Sequence, residues 1–89
     1  MPFHVYVLLS KKWKKIYIGF TSDLESRLKS HNELATKGWT IKFRPWVLAY
    51  SEQFNSKIDA IKREKELKSA KGREFIRRFL KNSSDALPL

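Results

Sequence analysis

A glutamate stands where a helix should present only apolar side chains. Between Ser56 and Ala70 the residues Ala60, Ile61 and Leu67 recur at helical spacing, and at about 100° per residue Glu64 falls in the middle of them. Turning a carboxylate toward the body of a small protein is costly unless it is paired or holds a cation. Two readings are open. One is an ion pair with Arg27 or a lysine. The other is a Mg2+ site, since Mg2+ takes hard oxygen ligands, often one or two carboxylates with phosphate and water completing the shell. Tyr6 and Tyr17 sit in two apolar, β-branched segments, where a tyrosine serves either for amphipathic packing or as a site group. Arg27 and His31 lie one helical turn apart, readable as a solvated charge and a core histidine or as two more site groups.

Charge narrows the class of partner. Lys plus Arg number 19 against 9 Asp plus Glu, a formal net charge of +10. The excess sits in Ser10–Lys15, with Lys11, Lys12, Lys14 and Lys15, and in Ala60–Lys81, with nine basic and three acidic residues. A localised surplus suits a polyanion, because each neutralised phosphate releases counterions. A merely solubilising surface is the bland alternative. An anionic membrane fits less well, because the basic helix lacks a broad exposed apolar face. The absence of cysteine excludes disulfides, thiolate zinc sites, iron–sulfur clusters and a cysteine nucleophile. No stretch approaches the ~20 apolar residues of a membrane span, and residues 1–9 do not read as a signal peptide, so a cytoplasmic protein is expected.

The elements that position these residues follow from periodicity. With 89 residues, 42% of them hydrophobic, the chain has room for one folded domain, expected over 1–81 with a flexible tail at 82–89. Phe3–Leu9 and Ile16–Phe20 read as a hairpin around the lysine-rich loop. Alternation puts Phe3, Val5, Val7 and Leu9 on one face and His4, Tyr6 and Leu8 on the other. A four-residue loop, Ser10–Trp13, pairs Leu9 with Lys14 and sets Tyr6 opposite Tyr17. Ser22–Glu25 reads as a capping box opening a helix to about Leu34, with Leu24, Leu28, His31 and Ala35 turned inward. Thr36–Pro45 has no period and reads as a loop, and Trp46–Phe54 as a third strand. Asn55 or Ser56 caps a second helix to about Ala70, Gly72 stops it, and Arg73–Leu80 forms a last helix with Phe75, Ile76, Phe79 and Leu80 at core spacing. The expected class is α/β (α+β): a three-stranded antiparallel sheet flanked by about three helices.

In combination these residues resemble a known family. Val5-Tyr6-Val7-Leu8, Tyr17-Ile18-Gly19, Arg27 ten residues after that tyrosine, His31 and Glu64 resemble the GIY-YIG nucleases. Arg44-Pro45-Trp46-Val47-Leu48 with Tyr50 and Glu52, then Ala60, Arg63-Glu64 and Leu67-Lys68, are similar to its small stand-alone bacterial members. The likeness runs from about Phe3 to Leu80. It departs at the first motif, where His4-Val5-Tyr6 replaces Gly-Ile-Tyr, and at the family's C-terminal Asn, for which Asn82 lies too far along.

The resemblance implies a GIY-YIG-like fold and metal-dependent hydrolysis of phosphodiester bonds in nucleic acid, with DNA the expected substrate. Glu64 would hold Mg2+ (or Mn2+), and Arg27 would offset charge growing on phosphorus. Tyr6 or Tyr17 would position and deprotonate water, a role that needs nearby positive charge because a free tyrosine titrates near ~10. His31 would relay the proton, and Gly19 would let backbone and substrate approach. Lys11, Lys12, Lys14, Lys15, Arg63 and Lys68 would contact the nucleic acid. No obligate protein partner and no membrane are implied. Tyr6, Tyr17, Arg27 and Glu64 should then line one cleft, with Glu64 partly open to solvent. The rival is a non-catalytic nucleic-acid-binding module that retains the fold and uses Trp13 and Trp39 to stack on bases.

Overall fold

The computed structural model describes residues 2–34 and 36–82. Three strands, β1 (Phe3–Ser10), β2 (Lys15–Thr21) and β3 (Val47–Phe54), form an antiparallel sheet in the order β2-β1-β3. Helix α1 (Leu24–Lys29) runs on into a π-helical turn, Ser30–Leu34, and a 3-10 turn covers Trp39–Phe43. Helices α2 (Lys57–Lys68) and α3 (Ala70–Lys81) complete the chain, so the architecture is α+β as expected.

β1 is central and covered on both faces, which is why every residue from Val5 to Ser10 is buried. Val5, Val7 and Leu9 join Ile18 of β2 and pack on Ala60, Leu67, Ile76 and Leu80 from α2 and α3. Tyr6 and Leu8 point the other way, against Trp46, Tyr17, Leu24, Leu28 and Phe43. The alternation read from the sequence therefore holds, and it separates an aliphatic layer from a layer that carries polar tips.

The hairpin closes one residue later than expected. Its four-residue turn is Lys11–Lys14, with Ser10 paired to Lys15, Leu8 to Tyr17 and Tyr6 to Gly19. Ser10 is fully buried and stays in the strand, and Lys14 takes the left-handed conformation (φ 54°) that closes the turn. Moving the turn by one residue shifts the pairing by two, so the tyrosines become diagonal neighbours but keep a common face. Between β1 and β3 the register also shifts: Val7 faces Tyr50 while Leu8 faces Leu48, leaving Ala49 as an extra residue in a bulge.

Other boundaries move for local reasons. Asp23, not Ser22, caps α1, its carboxylate accepting the Ser26 N–H at 3.1 Å. Ala35, expected on the inward stripe, lies outside the described residues. The stretch read as a loop holds the 3-10 turn, and the Arg44–Pro45 peptide is cis. Trp46 precedes β3 because its backbone bonds the Asn32 side chain: its N–H donates to Oδ1 at 2.6 Å and its carbonyl accepts from Nδ2 at 2.8 Å.

Gly72 does not end α2. The break falls at Ser69, whose extended backbone (ψ 170°) separates the helices and whose hydroxyl accepts the Gly72 N–H at 3.2 Å. Gly72 sits in the first turn of α3, where a Cβ would overlap the Glu66 carbonyl and the Leu67 backbone. Of the four residues expected at core spacing in α3, Ile76 and Leu80 are buried, whereas Phe75 and Phe79 remain about two-fifths exposed (41% and 39%) against the Tyr50 ring. Asn82 caps α3 through its N–H, and the rest of the expected tail lies outside the described residues. Gly72→Ala should force α2 and α3 apart and lower stability by about 1–3 kcal/mol. Urea denaturation measures it, and an unchanged midpoint would mean the junction absorbs a methyl group freely.

Candidate active site

The polar layer of the sheet opens into a cleft of about 440 Å³. Tyr6 from β1, Tyr17 and Gly19 from β2, Arg27 from α1, and Lys57 and Glu64 from α2 line it. The tyrosine rings lie 6.2 Å apart between centroids. Gly19 makes that approach possible. A Cβ there would sit 2.7 Å from the Tyr6 hydroxyl and 3.1 Å from a ring carbon of Tyr17.

Tyr6 is 2% exposed, and its hydroxyl meets His31 Nε2 at 3.2 Å. His31, on the π-helical turn, is itself buried, and its Nδ1 meets Thr40 Oγ1 at 3.1 Å. Arg44 Nε donates to the His31 carbonyl at 2.6 Å, and Trp46 Nε1 donates to the Thr40 carbonyl at 2.8 Å. Burial pushes the Tyr6 phenol well above its ordinary value, with Tyr17 and Glu64 adding to the shift and Arg27 opposing it. Burial also lowers the His31 imidazole, helped by the positive charges of Arg27 and Arg44. Near pH 7 both groups are therefore neutral. A neutral imidazole offers one donor and one acceptor, so Tyr6, His31 and Thr40 form a directional chain. Desolvation thus disfavours a tyrosinate at position 6 and outweighs the help that the Arg27 charge gives it.

Glu64 turns into the cleft with its side chain 18% exposed. Of the partners considered for it, a lysine is the one found: Lys68 Nζ lies 3.1 Å from Oε1, one turn along α2. The carboxylate is thus both paired and open to the cleft. Among the described residues no group of three His, Cys, Asp or Glu could hold a metal. One carboxylate facing an open space suits Mg2+, which keeps waters and takes substrate phosphate as ligand.

The remaining candidates lie elsewhere. Lys11, Lys12, Lys14 and Lys15 are exposed at the hairpin end of the sheet, with Lys12 Nζ 5.4 Å from the Trp13 ring and Lys15 Nζ 5.6 Å from Phe43. Arg63 is engaged on the other side of α2: Nε bonds Glu52 at 2.9 Å, Nη1 bonds Glu66 at 3.0 Å, and its guanidinium lies 5.5 Å from the Phe75 ring. Thr40, Asn32 and Lys57 were not candidates from the sequence. Thr40 and Asn32 act through partners distant in the chain, and no spacing marks them. Lys57 is the first residue of a capped helix, a cue to the helix but not to the cleft.

His31 gives the fold a pH dependence of known sign. Its folded pKa lies below the ordinary 6.5, so between those two values the unfolded chain binds the proton more readily. Stability should be full above about pH 6.5, decline as the pH falls toward the lowered value, and level off beneath it. His31→Gln should flatten that decline. Denaturant midpoints measured across the acid range read it, and equal slopes in both proteins would deny His31 the role.

Comparison with known proteins identifies the family of the chain. The GIY-YIG catalytic domain family matches residues 2–78. A UPF0213 protein of Staphylococcus haemolyticus is 36% identical over 69 residues, covering 78% of this chain and 84% of that one. The UPF0213 protein YazA of Bacillus subtilis is 30% identical over 86 residues, covering 94% and 87%. The solution NMR structure of the UPF0213 protein BH0048 from Bacillus halodurans superposes with a TM-score of 0.56 at 27% identity, covering 96% of this chain and 92% of that one. A family match over most of the chain, relatives alike over most of their own length and a shared fold lead to one conclusion: the chain belongs to the GIY-YIG nuclease family.

Proposed function

We propose that the protein hydrolyses phosphodiester bonds in nucleic acid, DNA being the expected substrate, with one divalent cation held at Glu64. The observation that carries this reading is the convergence of Tyr6, Tyr17, Arg27 and Glu64, from two strands and two helices, on one open cleft. When bound, Mg2+ (or Mn2+) would polarise the scissile phosphate and stabilise the leaving oxygen. Arg27 offers the planar fork that suits a phosphate whose charge is growing, and Lys57 adds a second positive charge at the same opening. Tyr6, neutral and buried, acts best as a conduit: its oxygen accepts a proton from water as its own proton passes to His31 Nε2, 3.2 Å away. Neutral His31 is the group able to take that proton. The hairpin lysines draw the phosphate backbone toward the sheet.

A binding module without turnover is the second reading. It is favoured by Lys68, which stands on the carboxylate that a cation would need. Cleavage decides between them. Single-stranded, duplex and branched DNA and RNA, incubated with Mg2+ or with chelator, should be cut only in Mg2+. Glu64→Gln should abolish cutting yet keep binding and hold stability within about 1 kcal/mol, since its partner Lys68 is half exposed. Arg27→Ala should slow cutting by about 10²-fold or more. A wild-type protein that binds every substrate and cuts none would establish the module instead.

Binding itself should weaken steeply with salt, by about 0.7–0.9 in log K per log salt for each phosphate neutralised. Replacing Lys11, Lys12, Lys14 and Lys15 with Ala should lower that slope. An identical slope would mean the hairpin points away from the backbone.

A further inference from the structure

The hairpin end of the sheet carries an aromatic cluster that the cleavage chemistry does not use. Trp13 in the turn and Trp39 in the 3-10 turn are each 48% exposed. Phe43 lies between them, 6.1 Å from Trp13 and 4.7 Å from Trp39 between ring centroids. Packing alone does not call for this placement. Trp46, which does pack the interior, is 2% exposed, whereas half of each outer indole stays in water. Lys12 and Lys15 stand over the Trp13 and Phe43 rings, so the surface offers flat apolar faces and positive charge together. It also connects to the cleft. Trp39 lies 5.8 Å from Trp46, and Trp46 lies 6.5 Å from Tyr17, which lines the cleft.

We propose that Trp13, Trp39 and Phe43 form a stacking platform for an unpaired nucleobase, so that the bound strand is single-stranded beside the cleft. The proposal rests on the reading that this protein handles nucleic acid, and it names the form of substrate. Stacking on aromatic faces with lysines along the backbone is how sequence-tolerant single-strand binders work. A continuous duplex hides its base faces within the stack and can engage only the lysines. At about 3.4 Å per stacked nucleotide, the two ring-to-ring steps from Tyr17 to Trp39 correspond to no more than about four nucleotides. One strand can therefore occupy the platform and the cleft at once.

Binding in chelator tests this without cleavage. Fluorescence anisotropy compares a DNA strand of about a dozen nucleotides with an abasic strand of equal length, the matching blunt duplex, and polyglutamate of equal charge. The base-bearing strand should bind at least about fivefold tighter than the abasic strand. Trp13→Ala and Trp39→Ala should each reduce that preference while leaving the salt slope unchanged, and Trp39→Phe should retain part of it. Trp13 sits in the turn, so its variant decides the matter should Trp39→Ala fail to fold. Equal affinity for base-bearing and abasic strands, a preference that survives Trp13→Ala, tighter binding of the duplex, or polyglutamate binding as well as the DNA strand would each overturn the platform. Because no turnover is needed, a protein that stacks bases but never cuts would sink the nuclease reading alone. A protein that cuts without preferring bases would sink only the platform.

Discussion

Tyr6, only 2% exposed, has a hydroxyl to satisfy away from bulk solvent, and much of the molecule is arranged to meet that demand. An unpartnered phenol in the interior would cost a few kcal/mol. His31 supplies the partner, and Thr40 in turn occupies the other imidazole nitrogen. Thr40 sits in the 3-10 turn, and its carbonyl takes the Trp46 indole N–H. Asn32, next to His31, clamps the Trp46 backbone just before β3 begins. The segment between α1 and β3 is thus tied down by the same network that anchors the phenol. Across the hairpin, Gly19 yields the space that the ring occupies.

The electrostatics of the cleft follow from burial as much as from charge. Arg27 and Arg44 stand close enough to His31 to disfavour its protonation, and desolvation acts in the same direction. Tyr6 is held neutral by the same loss of water. The charged members, Arg27, Lys57 and Glu64, stay at the opening where solvent reaches them. In the proposed reaction, a neutral proton path on the inner side and an ionic rim on the outer side would divide the work that a phosphodiester requires. Arg63 shows the contrast. It is a guanidinium like Arg27, but Glu52 and Glu66 hold it in a separate network with Tyr50.

What could be read from the sequence depended on whether the cause was periodic. The two faces of β1 and the inward glutamate of α2 follow from alternation and helical spacing, and both hold. The hairpin register did not, because burial of Ser10 and a left-handed Lys14 move the turn by one residue, and neither leaves a pattern. Gly72 looked like a helix stop by residue type. Its reason is steric, since α2 and α3 approach too closely there for any Cβ. Phe75 and Phe79 matched a core spacing, yet their face of α3 meets the Tyr50 ring and the Arg63 guanidinium and stays partly exposed. Of the site, Glu64 stood out by helical spacing, whereas the tyrosines, Arg27 and His31 became site candidates only as a set, through the family resemblance. Thr40 and Asn32 did not, because their importance arises from partners brought near only by the tertiary fold.

The bulge at Ala49 bears on whether copies of this protein stay apart. Among the described residues β3 has no strand paired on its outer side, and its Val47 and Leu48 are about two-fifths exposed (40% and 41%). A regular apolar edge is a template on which another chain can add a strand, the first step toward aggregation. Because Ala49 is inserted between the residues paired with Val7 and Leu8, the strand bends there and its outward row of N–H and carbonyl groups loses even spacing. Strand addition would have to stop within a few residues. A net charge of +10 adds mutual repulsion between approaching copies. The extra residue at Ala49 and the net charge of +10 thus both act against strand addition at this edge.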